Sequence, residues 1–245
     1  ALDNGLIDQV VDTVPDTANV VALCVPSDQI ADWASRLADH SATVFDVGSV
    51  KGEIVDSLRR LDQVPENFVP THPISGSEKS GPAAADSDLF QGCTVVCTPL
   101  SHSAQRAAGD NVSARSLSAL ATCEEFWAGL GAKTVRMDAE QHDQALAVTS
   151  HLPHLLAFAY MHQVTPDQLP LTGGGFRDFS RIAAAHPELW WNIFRLNEQA
   201  LLDSLAQFTE QAQALAEAIR ANDKETGLKQ IAAAAAKRAQ ADSLG

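Results

Sequence analysis

The 245-residue sequence has little of several features that mark particular protein classes. Its four cysteines, Cys24, Cys93, Cys97 and Cys123, have neither the paired spacing of a zinc site nor the density of a disulfide-rich secreted domain, which predicts reduced core thiols. Only 17 lysines and arginines stand against 31 acidic residues, and the formal charge of -14 argues against nucleic acid or anionic membranes as partners. No apolar run approaches the ~20 residues that span a bilayer, and no signal pattern opens the chain, so we expect a cytoplasmic protein without a membrane partner.

The sequence also lacks the usual start of a dinucleotide-binding domain, which is a strand, a GxGxxG turn, a helix and a second strand. Gly5 is the only glycine before Gly48, and the pair Gly129 and Gly131 precedes a predicted strand instead of following one. We therefore expect the chain to start after that second strand, with Ala1–Val11 as the next helix. Without the glycine turn, the dinucleotide pyrophosphate loses its main anchor, which predicts weak cofactor binding and little activity by these residues alone.

What is present in the first half is an alternation of short β-branched runs with amphipathic segments, the rhythm of βαβ units. Strands are predicted at 20–25, 43–48, 68–71, 93–98 and 133–137, and helices at 28–38, 52–61 and 116–129. The second half consists of alanine- and leucine-rich segments with helical spacing. The sequence thus predicts an α/β plus all-α protein. An incomplete Rossmann-like parallel sheet, lacking its first βαβ elements, covers residues 1–137, and a helical substrate and dimerisation domain covers 138–245.

Four segments carry reactive side chains in an order that general α/β statistics do not explain: DVGSVKG (46–52), THPISGSEKSG (71–81), TSHLPHLLAFA (149–159) and GGGFRDFSRIA (173–183). The second segment places His72 at the end of a predicted strand, the edge where parallel sheets bind ligands. Taken alone, such a histidine is as compatible with a structural role as with a catalytic one. Together and in this order, the four motifs resemble the prephenate and arogenate dehydrogenases of tyrosine biosynthesis.

The resemblance implies an oxidative decarboxylation that uses NAD or NADP and converts prephenate to 4-hydroxyphenylpyruvate, or arogenate to tyrosine. Hydride leaves the ring carbon that bears the hydroxyl, carbon dioxide departs, and the ring becomes aromatic. His72 matches the family histidine that accepts the hydroxyl proton, and imidazole suits this role because its pKa lies near neutral pH. Ser49 matches the serine that orients this histidine, although an isolated serine in such a turn is more simply a turn or N-cap residue.

The resemblance assigns the substrate contacts mainly to the second half. Arg181 matches the arginine that pairs with a substrate carboxylate, although Arg177 could do so instead. His151 and His154 lie three apart, and the family's substrate-contacting histidine lies in this motif, with His154 favoured. Their spacing could suit a metal, but no cysteine or carboxylate cluster accompanies them, so no metal is predicted. Trp190 matches a position near the substrate mouth, with core packing as the alternative.

The remaining site predictions concern one loop residue and the cofactor. Glu78, in the loop after His72, is either a gating residue or an exposed carboxylate. Cofactor contacts are expected at one strand end and from backbone amides of the following turn, at Val25, Pro26, Ser27, Asp46, Gly48 and Lys51. The sequence does not decide whether the cofactor is NAD or NADP, or whether the substrate is prephenate or arogenate.

Two other functions are compatible with parts of the sequence. A related 3-hydroxy-acid dehydrogenase would be expected to use a lysine on the first helix of the second domain, but residues 138–159 contain histidines and no lysine. A noncatalytic dimerising or ligand-sensing module would explain both the missing glycine turn and the apolar helices. We expect a small-molecule substrate as the main partner and, from the resemblance, a homodimer formed through the helical domain.

Overall fold

The computed structural model describes residue 2 and residues 5–61, 64–76, 81–100 and 112–242. The chain forms two compact units, residues 1–200 and residues 201–245. The predicted boundary between residues 137 and 138 lies inside the first unit and stays a prediction.

The first three strands form a parallel sheet in the order β1-β2-β3: β1 (Val20–Leu23), β2 (Thr43–Asp46) and β3 (Phe68–Val69). In the register, Val20 lies opposite Thr43, and Val44 lies opposite Phe68. Every residue of β2 is buried, as expected for the central strand of a sheet that is covered on both faces. These strands consist of short β-branched and aromatic runs, because side chains on both faces of the sheet pack against apolar residues.

Three further strands form a mixed sheet in the order β4-β5-β6: β4 (Thr71–Ile74), β5 (Thr94–Cys97) and β6 (Lys133–Arg136). β4 runs antiparallel to β5, whereas β5 and β6 are parallel. The sequence predicted one strand ending at Thr71. Instead, Pro70, which has no N–H to donate, separates β3 from β4, and the chain stays extended to Ile74. His72 is consequently the second residue of a strand, not the residue after one.

Helices pack on both faces of the first sheet, which is the doubly wound arrangement predicted. The helices are α1 (Ile30–Arg36), α2 (Gly52–Arg59) and α3 (Ala114–Gly129). Val44 belongs to a core cluster with Ile30 and Leu58, whereas its neighbour Phe45 packs with Trp127 on the opposite face. Each such fully buried side chain contributes about 1.5–3 kcal/mol of hydrophobic stabilisation.

The prediction of a helix over Ala1–Val11 is wrong for the part of it that the structure describes. Residues 5–11 form turns and irregular chain. Gly5 has a left-handed φ of 67°, which interrupts a right-handed helical path, and Val10 and Val11 are exposed.

The chain after β6 is helical, as predicted. Its helices are α4 (Ala139–Leu146), α5 (Leu152–Met161), α6 (Gly174–Ser180), α7 (Pro187–Leu196), α8 (Glu198–Arg220) and α9 (Lys224–Asp242). A π-helical turn (Ala147–His151) joins α4 to α5, and short 3-10 helices cover Pro166–Leu171 and Arg181–Ala184. The predicted break near residues 222 and 223 is confirmed: Asn222 has a φ of 51°, and α9 begins two residues later.

All four cysteines are free thiols. Cys97 and Cys123 are buried in the core as predicted, but Cys24 is exposed and Cys93 is half-buried, so the core prediction is wrong for Cys24. Throughout the described ranges, none of the helices has both the length and the apolar character needed to cross a membrane.

Candidate active site

A buried carboxylate, Asp46, holds the turn that follows β2. Its Oδ2 accepts a hydrogen bond from the Gly48 amide at 2.8 Å and forms an ion pair with Lys51 Nζ. Its Oδ1 accepts from the Thr71 amide at 2.9 Å. Both side chains of the ion pair have 0% exposure. Because one carboxylate contacts both the turn after β2 and the first residue of β4, it fixes these two segments relative to each other.

A second carboxylate, Asp143 of α4, holds the far side of the same turn. Its Oδ1 accepts from the Lys51 amide at 2.9 Å, and its Oδ2 accepts from the Gly52 amide at 2.7 Å. These amides lie at the start of α2, where N–H groups without helical partners favour an anion. Asp143 therefore attaches the helical part of the first unit to the end of the parallel sheet.

His72 is connected to Asp143 through a second histidine, His142. The Nδ1 atom of His72 lies 2.8 Å from Nε2 of His142, and Nδ1 of His142 lies 2.7 Å from Oδ1 of Asp143. His142 is fully buried and His72 is half-buried. Burial, followed by the charges of His142, Lys51 and His151, lowers the pKa of His72 well below its usual range. His72 is therefore neutral at neutral pH and keeps one unprotonated ring nitrogen, as a general base requires.

The histidines of the third motif lie in different environments. The half-buried His154 stacks on Trp190, with ring centroids 3.5 Å apart and planes at 18°, and its Nδ1 donates to the Ser150 carbonyl at 2.9 Å. His151 is only 1% exposed, and Asn197 Nδ2 donates to its Nδ1 at 3.0 Å. The predicted substrate contact from His151 is therefore not supported, because its ring is buried and bonded within the protein. His154 is the accessible member of the pair.

The π-helical turn that ends at His151 lies next to a proline. Pro153 has no N–H, so it cannot make the α-helical bond to the carbonyl four residues earlier. The Leu152 amide instead donates to the Ala147 carbonyl, five residues back. Such a turn widens the helix and reorients the side chains that follow, and π-turns are frequent at functional sites.

Arg181 shares the electrostatic environment of His154. Burial is the main cause of the lowered pKa of His154, and the charge of Arg181 lowers it further. Arg181 is exposed at the start of its 3-10 helix, and Arg177 is exposed one turn earlier in the last turn of α6. Of the two predicted arginines, only Arg181 affects a site histidine in this way. Arg181 and His154 together form a candidate site for an anion.

Trp190 joins the turn after β2 to the helices. It is 9% exposed and forms a core cluster with Val50 of the turn and Ile193 of α7. The indole is packed in the core, and one of its faces stacks on the half-buried ring of His154, whereas a place near the substrate mouth stays a prediction.

The ends of β1 and β2 lie side by side at the carboxyl edge of the parallel sheet, where dinucleotides bind in doubly wound folds. A Cβ at position 48 would lie 2.8 Å from Cδ1 of Ile30 and 3.2 Å from Oγ of Ser27, so only glycine lets the two loops approach this closely. Pro26 is exposed, and Val25 and Ser27 are half-buried. Contact of these three residues with the cofactor stays a prediction.

The prediction that amides at Gly48 and Lys51 contact the cofactor is not supported. The Gly48 amide donates to Asp46 and the Lys51 amide donates to Asp143, so neither is available to a ligand. The side chains of Asp46 and Lys51 are buried against each other. Ser49, half-buried between these fixed positions, is the polar residue of the turn that is left for a ligand. Glu78 lies outside the described residues.

Sequence reasoning missed three polar residues of this site: His142, Asp143 and Asn197. All three are buried, and Asn197 Nδ2 donates to the Asp143 carbonyl at 2.8 Å as well as to His151. The adjacent His-Asp pair on a predicted helix was the available signal, but the partner histidine lies 70 positions away. In the described part of the chain, no group of three or more His, Cys, Asp or Glu side chains could hold a metal ion.

Comparison with known families agrees with this arrangement. Residues 1–136 match the family model of the prephenate dehydrogenase nucleotide-binding domain, and residues 138–233 match that of the prephenate dehydrogenase dimerization domain. The chain belongs to the prephenate dehydrogenase family. Membership confirms the resemblance identified from the four motifs, and a Rossmann-like parallel-sheet domain followed by helices is the fold of this family.

Individual relatives are similar over nearly the whole chain. The cyclohexadienyl dehydrogenase of Zymomonas mobilis is 33% identical over 233 residues, which are 91% of this chain and 74% of that protein. The prephenate dehydrogenase of Bacillus subtilis is 30% identical, over 92% of this chain and 61% of that protein.

Solved structures give the same result. The structure of Aquifex aeolicus prephenate dehydrogenase in complex with hydroxyphenyl propionate and NAD+ has a TM-score of 0.82 at 30% identity, with 98% of this chain and 83% of that chain covered. Synechocystis arogenate dehydrogenase has a TM-score of 0.76 at 26% identity, with 98% and 85% covered.

Proposed function

We propose that this protein catalyses the NAD-dependent oxidative decarboxylation of a cyclohexadienyl acid, either prephenate or arogenate, in tyrosine biosynthesis. The observation that carries the proposal is the chain of contacts from His72 through His142 to Asp143, placed beside the turn that holds Ser49. It supplies a neutral imidazole with a fixed orientation at the carboxyl edge of the sheet. The Zymomonas, Bacillus and Aquifex relatives support the reaction class by their names.

In this proposal His72 is the general base. Its Nδ1 is occupied by His142, so Nε2 is the nitrogen that meets the substrate hydroxyl and accepts its proton. The lowered pKa of His72 keeps this nitrogen unprotonated at neutral pH. Ser49 positions the hydroxyl from the neighbouring turn, which Asp46 and Asp143 hold from two sides. The proton acceptor and the hydroxyl-bearing carbon are thus oriented before the reaction.

The substrate carboxylates are anions in a protein of formal charge -14, so they need local cations. Arg181 offers a planar guanidinium that can bind one carboxylate through two hydrogen bonds. His154 is held by Trp190 and by the Ser150 carbonyl, and its remaining ring nitrogen would contact the substrate. These two side chains orient the acid so that its ring lies against His72.

Val25, Pro26, Ser27 and Ser49 would hold the nicotinamide half of the cofactor at the edge of the parallel sheet. Bound NAD supplies the hydride acceptor. NAD is proposed over NADP because the Aquifex relative is described with NAD+. The match to a dimerization domain over residues 138–233 supports a homodimer.

The test is an absorbance assay for reduced cofactor, run on a protein that carries a glycine-rich cofactor turn ahead of residue 1, with prephenate and arogenate and with NAD and NADP. We expect turnover of at least one acid with NAD. The variant His72→Asn should lower kcat by on the order of 10²- to 10⁴-fold, the usual contribution of a general base. The matched control His162→Asn changes an exposed histidine of the same chain and should leave the rate unchanged. Wild-type turnover of neither acid, or an undiminished rate in His72→Asn, would contradict the proposal.

A further inference from the structure

We propose that Asp143 is a positioning residue that sets the tautomer of His72 through His142, and that the same carboxylate fixes the turn carrying Ser49. The catalytic importance of this arrangement rests on the proposed function. The position of the proton on His72 does not depend on that function. It follows from which atoms can donate and which can only accept along a chain of buried contacts.

The proton assignment begins at Asp143. A carboxylate only accepts hydrogen bonds, and the Lys51 and Gly52 amides already donate to its two oxygens. His142 must therefore donate from Nδ1, which lies 2.7 Å from Oδ1 of Asp143. A neutral imidazole with a proton on Nδ1 has an unprotonated Nε2, and this atom lies 2.8 Å from Nδ1 of His72.

The second histidine then follows from the first. Since Nε2 of His142 is an acceptor, Nδ1 of His72 must carry the proton that is shared between them. The remaining nitrogen of His72, Nε2, is left with its lone pair free. The carboxylate of Asp143 thus determines the tautomer of His142, and His142 determines the tautomer of His72. The resulting tautomer of His72 can accept a proton from a ligand.

The same contacts also determine which groups surround His72 after it has taken up a proton. Burial and the charges of His142, Lys51 and His151 oppose a positive charge on His72, and the carboxylate of Asp143 lies beyond His142. A cationic His72 donates from Nδ1 to His142, whose own proton points at Asp143. The positive charge is therefore oriented toward the one carboxylate in this chain of contacts.

Replacement of Asp143 by Asn should move the protons of His142 and His72 to the opposite ring nitrogens. An asparagine has a single side-chain oxygen, so it cannot accept from the Lys51 amide, the Gly52 amide and His142 together. With its oxygen placed to accept from the Gly52 amide, as Oδ2 of Asp143 does, its NH₂ group takes the position of Oδ1, faces His142 and donates to Nδ1. His142 then carries its proton on Nε2 and donates to His72, which is left with Nε2 protonated and unable to act as a base.

The experiment is two-dimensional ¹H–¹⁵N correlation of the imidazole rings in the ¹⁵N-labelled protein near neutral pH. The signals of His72 are assigned by their loss in His72→Asn. In the wild type we expect a pyrrole-type Nδ1 and a pyridine-type Nε2 for His72. In Asp143→Asn we expect the pattern to invert or to become a mixture. The matched control Glu140→Gln removes a carboxylate from the exposed side of the same helix and should leave the pattern unchanged.

A second variant keeps the test decisive if Asp143→Asn does not fold. His142→Gln breaks the link to Asp143 but leaves an amide that can either accept from His72 or donate to it, so it should give both tautomers. A wild-type His72 that is protonated on Nε2, or a pure Nδ1–H pattern in a folded Asp143→Asn or His142→Gln protein, would overturn the inference.

The kinetic readout separates this inference from the proposed function. Asp143→Asn should lower kcat by on the order of 10²-fold or more, because the base is in the wrong tautomer, while KM changes little, because Arg181 and His154 are intact. Parallel losses of kcat and of thermal stability with an unchanged tautomer would mean a purely structural role and would overturn the inference. If the wild type shows the expected ring pattern but turns over neither acid, the proposed function fails and the inference stands.

Discussion

The carboxylate of Asp46 accepts a hydrogen bond from the amide of Thr71 at 2.9 Å, across the gap between the end of β2 and the start of β4. The two segments joined in this way carry Ser49 and His72, so one fully buried side chain fixes the distance between two predicted site residues. Its partner Lys51 is equally buried, and the pair lies beneath the site without contacting solvent.

The buried pair gives a prediction about stability. Asp46→Asn should lower the free energy of unfolding by about 3–5 kcal/mol, because it leaves the ammonium of Lys51 buried without its carboxylate. The control Asp32→Asn breaks an ion pair with Arg36 whose side chains are 60% and 62% exposed, and it should cost less than about 1 kcal/mol. Urea denaturation of both variants makes the comparison. Equal effects would show that the buried pair does not stabilise the turn.

Trp190 and Trp191 are adjacent residues with opposite environments. Trp190 is 9% exposed and Trp191 is 64% exposed. Trp190→Ala should cost about 3–5 kcal/mol because it opens a cavity between Val50 and Ile193, whereas Trp191→Ala should cost less than about 1 kcal/mol. Chemical denaturation measures both. Trp190→Ala should also raise KM, since His154 loses the ring on which it stacks.

The two candidate arginines can be distinguished by a substitution that keeps the charge. Arg181→Lys should raise KM for the acid by about 10-fold or more, because lysine cannot make the paired hydrogen bonds of a guanidinium with a carboxylate. Arg177→Lys, one turn earlier, should leave KM unchanged. Steady-state kinetics with varied substrate measures both. A larger effect at Arg177 would transfer the carboxylate role to that residue.

Stability should decrease on acidification. Burial lowers the pKa of His151 from 6.5 to about 4, so the unfolded chain binds a proton at higher pH than the folded protein does. The stabilisation is complete above pH 6.5 and is lost as the pH falls toward 4, by roughly 3 kcal/mol for this one group. The lowered pKa of His72 acts in the same direction.

The pH dependence can be assigned to one residue by substitution. His151→Asn removes the titrating group and should flatten the stability curve over this pH range, whereas His162→Asn removes an exposed histidine and should not change its slope. Urea midpoints measured at a series of pH values make the test. An unchanged slope in His151→Asn would contradict the assignment.

Much of the fold could be predicted because it follows local patterns. The strands at 43–46 and 133–136 and the helix at 114–129 were found within a few residues, since their apolar spacing reflects burial on known faces. The failures occurred where a single residue overrides the pattern. Pro70 divided one predicted strand into two, and the left-handed Gly5 interrupted a predicted helix.

The site was predicted less completely than the fold. His72, Ser49, His154 and Arg181 were found from motifs, but their roles stay predictions. His142 and Asp143 were missed because nothing in a linear pattern connects residue 72 with residue 142. The engagement of the Lys51 amide was not foreseen because its acceptor, Asp143, lies 92 positions away in sequence.

By itself the sequence determined the family, the order of sheet and helices, and the side chains that could carry the chemistry, because these depend on residue identity and on spacing along the chain. Only the tertiary structure decided which of those side chains are accessible and which are buried in hydrogen bonds or ion pairs with other residues of the chain. It buried His151 and Lys51, left His154 half-buried on Trp190, and linked His72 to Asp143 through His142. The physical reason is that burial and hydrogen bonding depend on distances between residues far apart in sequence, which packing sets and no local pattern encodes.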